Sequence, residues 1–260
     1  MNRHSFLFTL ICLFAVMQVS YGQFNKNVVI AHRGAWKAQD IPQNSLASLN
    51  QAVEIGCHGS EFDVHLTKDE VLVVNHDRDY FGLDIESSTY QELLAKKLPN
   101  GESIPTLESY LKEGMKQKKT RLILEIKPST AKKERALKTA ELCVSTVKKL
   151  KAQKWVDYIT FDYEAGKLVG KLDPKAEVAY LNGDVAPAQA KKDGYTGLDY
   201  HFKVYKANPT WIKEAQDLGL SVNCWTVNDE ADMAELLNQK VDFITTDEPE
   251  KLFEVIQAHE

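Results

Sequence analysis

The sequence has little glycine and proline and no excess of basic residues. Its 260 residues include 13 glycines and 8 prolines, too few for a collagen-like or linker-dominated chain. Acidic residues outnumber basic ones by 37 to 32, and the pI is near 5.9, so no electrostatic footprint for nucleic acid is present. With 43% hydrophobic residues the chain can bury a substantial core. The composition indicates an acidic globular protein of one large or two small domains.

Cysteine is also scarce, and no two cysteines have the CxxC spacing of a metal site. Cys12 lies in the N-terminal segment, and the other three are Cys57, Cys143 and Cys224, an odd number in apolar surroundings. We interpret these three as buried free thiols, and no cysteine metal site is predicted.

A largely apolar run of 11 residues, 6–16, lies close to the N-terminus and is too short to span a bilayer. Ser20 and Gly22 place small side chains at the −3 and −1 positions of a cut before Gln23. Residues 1–22 are therefore predicted to be a cleaved signal peptide.

The alternative is a lipoprotein signal that uses Cys12, but bulky Leu10 and Ile11 stand where small residues are expected. With a cleaved signal, residues 23–260 form a single exported domain, periplasmic or secreted, for which no stable membrane anchor is expected.

Beyond residue 27, short β-branched runs alternate with longer amphipathic segments, a pattern that favours a parallel sheet covered by helices. The predicted helices include residues 45–55, 131–150, 209–218, 229–237 and 249–258. The predicted strands are residues 28–31, 60–64, 121–126, 158–161, 177–180, 198–200, 221–225 and 243–246.

Eight strands in a chain of this length predict a (β/α)8 TIM barrel of the α/β class. A doubly wound open sheet is the alternative. No glycine-rich nucleotide loop follows any predicted strand, which weakens that alternative.

Two departures from a regular barrel are expected near the second strand. Residues 71–75 are predicted to form an extra strand that folds back beside it as a β-hairpin. The connection that follows, residues 77–120, is the longest in the chain and has only short helical pieces, at 90–94 and 106–116. Because it follows the C-terminal end of a strand, we expect this insertion to lie over the barrel mouth.

Polar side chains occur at the C-terminal ends of the first three predicted barrel strands. They are His32 and Arg33, then Glu61 and Asp63 with His76 on the return strand, then Glu125 and Lys127. Residues two apart on a strand point to the same side, so three carboxylates converge if those sides face the barrel axis. Like charges this close repel unless a cation is present, and oxygen ligands suit Mg²⁺ or Ca²⁺. Taken alone, Glu61 and Asp63 could lie on a solvated strand edge, and Glu125 and Lys127 could form an internal ion pair. The recurrence of such groups at the same end of three strands favours a metal site.

A series of short motifs runs in order along the chain: AHRG (31–34), PQNS (42–45), EFDVHLTKD (61–69), LVVNHD (72–77), IPTLE (104–108), LEIK (124–127), WTVN (225–228) and VDFITTD (241–247). Together they resemble the glycerophosphodiester phosphodiesterase family over nearly all of residues 23–260. Each motif is weak alone, whereas the ordered set is highly specific.

The resemblance implies a TIM barrel that hydrolyses a small glycerophosphodiester to glycerol 3-phosphate and an alcohol. By motif, Glu61, Asp63 and Glu125 would hold one divalent cation, Mg²⁺ or Ca²⁺. His32 and His76 would be the acid–base pair, Arg33 and Lys127 would contact phosphate, and Trp225 would line the substrate pocket. In this family the attacking hydroxyl is thought to be the substrate's own, which gives a cyclic phosphate that water then opens.

Two places depart from the family's pattern. Gln43 stands where the family usually has Glu, and it is expected to support the histidine–arginine pair rather than bind the metal. Asn44 is likewise expected to support the site from behind its ligands. Either Gln43 keeps the hydrogen bond and loses only the charge, or His32 becomes less basic. Residues 78–84 also differ from the sequence of many bacterial members. Because this loop is expected to shape the barrel mouth, the identity of the substrate's alcohol group stays open.

These departures leave two alternative functions. One is a weakly active or inactive periplasmic module that binds phosphodiesters. The other is a lysophospholipase D-like enzyme on the same barrel, for which Phe81 and Leu83 could supply an apolar rim.

Overall fold

The computed structural model describes residues 24–129 and 132–259. The predicted signal peptide, residues 1–22, lies outside the described residues, so its cleavage stays a prediction. The strands are β1 (Val29–Ala31), β2 (Gly59–Leu66), β3 (Leu72–Val74), β4 (Asp79–Tyr80), β5 (Leu83–Asp84), β6 (Arg121–Ile126), β7 (Val156–Thr160), β8 (Val178–Tyr180), β9 (Gly197–His201), β10 (Ser221–Trp225) and β11 (Phe243–Thr246). The helices are α1 (Leu46–Glu54), α2 (Tyr90–Leu93), α3 (Leu107–Gly114), α4 (Lys133–Leu150), α5 (Tyr163–Leu172), α6 (Pro187–Lys192), α7 (Phe202–Ala207), α8 (Trp211–Asp217), α9 (Glu230–Asn238) and α10 (Pro249–His259).

Eight parallel strands close into a barrel, in the order β1, β2, β6, β7, β8, β9, β10 and β11, with β11 paired back to β1. The predicted TIM barrel is confirmed, and every predicted barrel strand matches an observed one to within two residues. The sequences of such strands are largely apolar because helices cover their outer faces while their inner faces line the barrel.

Strand β2 is longer than its neighbour β1, and on the side away from β6 it divides its pairing between two partners. Gly59 and Ser60 pair with β1, whereas the far end, from Val64 to Leu66, pairs with the antiparallel strand β3. The predicted return strand is therefore confirmed. It runs back toward the barrel mouth, where the Asn75 N–H donates to the Asp63 carbonyl at 3.0 Å.

The insertion after β3 has its own small core, in which Tyr80, Ile85, Leu93 and Ile104 pack with Val73 of β3. Besides the short helices expected there, it contains the β4–β5 hairpin and a 3₁₀ turn at Ile85–Ser87, which the sequence pattern did not indicate. Two-residue strands are too short to show an alternating pattern.

The insertion also contacts the first helix. The Glu102 carboxylate accepts from the Leu46 and Ala47 N–H groups at 2.9 and 3.2 Å, at the N-terminus of α1. In a barrel this helix end lies just beyond the C-terminal end of β1, so the insertion reaches the active-site face. Its position over the mouth itself stays a prediction.

The main core lies between the barrel and its helices. Cys57, Cys143 and Cys224 are buried there as free thiols, as predicted. Among the helices of the described residues, none combines the length and apolar character needed to cross a membrane.

Candidate active site

Three carboxylates meet at the C-terminal end of the barrel. Glu61 and Asp63 project from β2, and the register of the sheet sets Asp63 opposite Glu125 of β6. One oxygen from each residue lies within 4.8 Å of the other two, and all three side chains are buried. The predicted convergence therefore occurs, because alternate residues of both strands face the barrel axis.

The burial of these like charges perturbs their protonation. Burial, and then repulsion from Asp63 and Glu125, raises the pKa of Glu61 well above its ordinary value. Burial and Asp63 raise the pKa of Glu125 to about 7. Asp63 is the exception: although burial alone would raise its pKa, Lys127, His76 and an Asn44 hydrogen bond lower it to about 2.

A divalent cation fits this donor set. The Oε1 atom of Glu61 is buried and has no hydrogen-bond partner among the described residues. An orphaned buried carboxylate oxygen is costly unless a donor or a cation satisfies it. Three hard oxygen donors of this kind suit Mg²⁺ or Ca²⁺ rather than a thiolate-seeking metal.

Lys127 is the basic side chain inside this cluster. Its Nζ lies 3.1 Å from Asp63 Oδ1 and 2.9 Å from Glu125 Oε1. Burial alone would lower the pKa of Lys127, but the two carboxylates raise it above its ordinary value, so the ammonium stays charged.

His32 and Arg33 are adjacent in sequence, yet both line the same cavity. The chain can deliver both because Arg33 and Gly34 adopt positive φ angles of 58° and 80°, which turn the backbone at the end of β1. The same turn directs the Arg33 N–H at Glu61 Oε2, 2.8 Å away. A Cβ at position 34 would come within 2.5 Å of Ser48, so glycine is required there.

Gln43 and Asn44 hold this arrangement from the loop before α1. Arg33 Nη1 donates to Gln43 Oε1 at 2.7 Å. Asn44 is buried and makes two bonds to Asp63: its Nδ2 donates to Oδ2 at 2.8 Å, and its Oδ1 accepts from the backbone N–H at 3.1 Å. Gln43 thus contacts the arginine as expected, whereas Asn44 supports a carboxylate of the candidate metal site.

Each of the two histidines has an aspartate at Nδ1. His32 Nδ1 lies 2.7 Å from Asp247 Oδ1, and Asp247 in turn accepts from Asn228 Nδ2 at 2.8 Å. His76 Nδ1 lies 2.7 Å from Asp77 Oδ1. An aspartate at Nδ1 orients the ring and leaves Nε2 for proton transfer. Burial is the largest of the effects that lower the pKa of His76.

Sequence reasoning assigned no role to Asp247 and Asn228, although both lie in motifs that it singled out. Asp247 directly follows β11 and Asn228 lies in the loop after β10, at the same end of the barrel as His32, and this position was the available signal.

These groups enclose a cavity of about 100 Å³ with two unlike sides. The charged side contains His32, Arg33, Glu61, His76, Glu125 and Lys127. The apolar side contains Ile159, Phe161, Leu181 and Trp225, of which only Trp225 was predicted. The Trp225 ring is held by an Nε1 bond to the Asp199 carbonyl at 2.8 Å and by edge contact with Phe161. No residue of the segment 77–120 is among those that line this cavity.

The chain is similar to known proteins over almost its whole length. The sequence profile of the glycerophosphoryl diester phosphodiesterase family matches residues 32–251. A glycerophosphodiester phosphodiesterase of Caldanaerobacter subterraneus is 28% identical over 250 residues, which cover 89% of this chain and 98% of the relative.

Solved structures agree. A glycerophosphodiester phosphodiesterase from Parabacteroides distasonis superposes with a TM-score of 0.87 at 49% identity, covering 91% of this chain and 99% of its own. A phosphodiesterase from Oleispira antarctica, solved in complex with the product sn-glycerol-3-phosphate, gives a TM-score of 0.74 at 26% identity, covering 89% and 97%.

Proposed function

The chain belongs to the glycerophosphoryl diester phosphodiesterase family and is an enzyme of that family; on this premise, we propose that it hydrolyses small glycerophosphodiesters to glycerol 3-phosphate and an alcohol with the help of one divalent cation. The observation that carries the proposal is the arrangement of the cavity. Two aspartate-backed histidines, two basic side chains and the Glu61 and Glu125 carboxylates line one small cavity, and the third buried carboxylate, Asp63, lies directly beside Glu61 and Glu125.

In this proposal, Glu61, Asp63 and Glu125 hold the cation, either Mg²⁺ or Ca²⁺. When bound, such a cation supplies charge stabilisation at the phosphoryl oxygens. With Arg33 and Lys127 added, the site carries one net positive charge, which matches the single negative charge of a phosphodiester. The transition state places more charge on the phosphoryl oxygens, where fixed cations act most strongly.

The two histidines perform the proton transfers. One accepts the proton of the attacking hydroxyl at Nε2, and the other donates a proton to the departing alkoxide. An imidazole suits both roles because its unperturbed pKa lies near neutrality. The attacking hydroxyl belongs either to the substrate's glycerol or to water, and Trp225 with the apolar side of the cavity packs against the part of the substrate that carries no charge.

The decisive experiment is hydrolysis of glycerophosphocholine by the purified protein, followed by ³¹P NMR with Mg²⁺, with Ca²⁺ and with a chelator. We expect metal-dependent release of glycerol 3-phosphate, and a transient cyclic phosphate signal if the substrate's own hydroxyl attacks. Retained binding without any turnover would instead favour the phosphodiester-binding module. A panel of other headgroups would then define the alcohol.

One observation favours a second candidate, a lysophospholipase D-like activity. Phe81 is 51% exposed at the tip of the β4–β5 hairpin and has a φ of 50°, which is unusual for a bulky residue. Single exposed apolar residues are common, so this activity ranks second. Release of the headgroup alcohol from lysophospholipid micelles, lost in Phe81→Ser, would support it; hydrolysis only of water-soluble diesters would exclude it.

A further inference from the structure

The main chain at His76 lies beyond the regular pairing of the sheet. Strand β3 pairs with β2 only as far as Val74, two residues before this histidine. Just past the pairing, the Asn75 N–H donates to the Asp63 carbonyl at 3.0 Å. The sheet therefore fixes the chain up to Asn75 and leaves the carbonyl of His76 to be held by some other group.

His65 of β2 supplies that contact. Its ring Nε2 lies 3.1 Å from the carbonyl oxygen of His76. Because a carbonyl oxygen only accepts hydrogen bonds, this Nε2 must carry a proton and act as the donor. No other hydrogen bond of the His76 main chain is found among the described residues. Sequence reasoning assigned His65 no catalytic role.

The hydrogen bond from His65 is shielded from water. His65 is 6% exposed, and its strand is buried along its whole length. The bond between Nδ1 of His76 and Asp77, by contrast, involves an exposed carboxylate. A hydrogen bond in a buried environment is electrostatically stronger than one that water screens. The contact from His65 is therefore the firmer of these two contacts that hold His76.

One strand supplies both a carboxylate of the candidate metal site and the histidine that holds the following loop. Asp63 and His65 are two apart on β2, so their side chains project from the same face of the strand. The strand thereby sets the distance between His76 and the candidate metal site. Catalysis is sensitive to such distances, since a displacement of about 1 Å can cost about a hundredfold in rate.

We propose that His65 is a positioning residue for the reaction: by donating to the carbonyl of His76, it holds this histidine where its Nε2 can transfer a proton. The inference rests on the proposed function, in which His76 is one of the two acid–base groups. His65 is not among the residues that line the catalytic cavity, so it acts through His76 and not on the substrate. The two histidines of the site are then held differently, His32 by an aspartate side chain and His76 through its main chain.

Two substitutions of similar size separate the hydrogen bond from the packing, with steady-state hydrolysis of glycerophosphocholine as the assay. In His65→Gln the amide Nε2 lies as many bonds from the main chain as the ring Nε2 does, and it can donate to the same carbonyl. His65→Met has a side chain of the same length without a donor. We expect His65→Gln to keep kcat within about threefold of the wild type and His65→Met to lower it about 10–100-fold. KM and Mg²⁺ affinity should change little in both variants.

A double-mutant comparison shows whether His65 acts through His76. A residue that only supports the fold should cost the same in any background, whereas residues that serve one function are not additive. In the His76→Ala background, His65→Met should therefore lower the residual rate less than about twofold.

His58→Gln is the matched control. His58 is also a half-buried histidine whose ring contacts a main-chain carbonyl, that of Asn25, but it lies at the opposite, N-terminal end of β2. Its substitution removes a comparable hydrogen bond away from the catalytic cavity and should leave kcat unchanged.

Amide hydrogen exchange gives a measurement that needs no turnover. His65→Met should speed the exchange of the Asn75 amide, which adjoins the lost contact, whereas His65→Gln should not. Circular dichroism and the melting temperature verify folding. If His65→Met does not fold, His65→Asn replaces it, because its amide is too short to reach the carbonyl.

A wild-type kcat in the folded His65→Met variant would overturn the proposal. So would equal losses in His65→Gln and His65→Met, or an undiminished loss in the His76→Ala background. If the wild type itself shows no turnover, the proposed function fails and exchange decides the role of His65. Faster exchange in His65→Met would then support its hold on the loop, and unchanged exchange would overturn it.

Discussion

Asp247 Oδ1 lies 2.7 Å from Nδ1 of His32, a residue 215 positions earlier in the chain. The partner of His76, by contrast, is its sequence neighbour Asp77. The two aspartates also differ in environment: the Asp247 side chain is 20% exposed and bonded to Asn228, whereas that of Asp77 is 72% exposed. The same hydrogen bond is therefore far better shielded from water at His32.

This difference predicts unequal effects for a matched pair of variants. Asp247→Asn should lower kcat/KM roughly 10–100-fold, the usual range for a residue that orients a functional ligand or ring. Asp77→Asn should lower it less, because water screens the hydrogen bond of an exposed carboxylate. Steady-state kinetics of both variants give the comparison, and equal losses would contradict the difference in shielding.

The histidine assignment predicts a separation between catalysis and metal binding. His32→Ala and His76→Ala should each lower kcat roughly 10²–10⁴-fold while Mg²⁺ affinity is retained. Glu61→Ala should weaken metal affinity as well. Calorimetric metal titration beside the assay makes the distinction, with His259→Ala, an exposed histidine of α10, as the control. Wild-type rates in either histidine variant would refute the acid–base roles.

Glu125 predicts a pH-dependent difference in the stability of the metal-free protein. Burial and Asp63 raise its pKa from 4.5 to about 7 in the folded state. The folded state then holds this proton more tightly than the unfolded chain does. The resulting stability is complete below the unfolded value and is lost as the pH rises through about 7.

Urea unfolding in a chelator, at several pH values across that range, measures the effect. Since histidines titrate in the same range, the informative quantity is the difference in the free energy of unfolding between the wild type and Glu125→Gln. As the pH rises, the wild type should lose stability relative to the variant. Saturating Mg²⁺ should reverse the shift, because the cation favours the ionised carboxylate. A constant difference would show that Glu125 has no raised pKa.

Gln43 offers a direct test of the departure from the family pattern. Its Oε1 already accepts the Arg33 bond at 2.7 Å, so Gln43→Glu adds charge without adding a contact. We expect kcat/KM to change less than about tenfold, equivalent to about 1.4 kcal/mol. A larger increase would mean that the missing charge had limited activity, and Gln43→Ala, which removes the bond, should be clearly slower than either.

Export is a separate prediction. Expression of the full chain in a Gram-negative host should yield a periplasmic or secreted protein. Its intact mass, measured by mass spectrometry, should be that of a chain starting at Gln23. A change of Gly22 to a bulky residue such as Gly22→Leu should leave the precursor uncut, because signal cleavage requires a small side chain there. An uncleaved cytosolic wild type would contradict the predicted signal.

Several features of the molecule follow from local sequence alone. The alternation of β-branched runs with amphipathic segments predicts a parallel sheet covered by helices, because parallel strands need helices to connect them and cover them, and the number of predicted strands favours its closure into a barrel. Spacing by two along a strand determines that Glu61 and Asp63 face one side, as do Glu125 and Lys127. The motif order identified the family.

Other features depend on closure of the barrel. Only closure brings Asp247, which follows β11, beside His32, which follows β1, since distant segments meet through sheet register and not through spacing along the chain. The turn at Arg33 and Gly34 lets two adjacent side chains line one cavity. A positive φ at a non-glycine residue such as Arg33 is uncommon, and the local sequence does not indicate it. Local sequence thus determined which groups the chain has and which side of its strand each faces, whereas tertiary structure decided which of them meet.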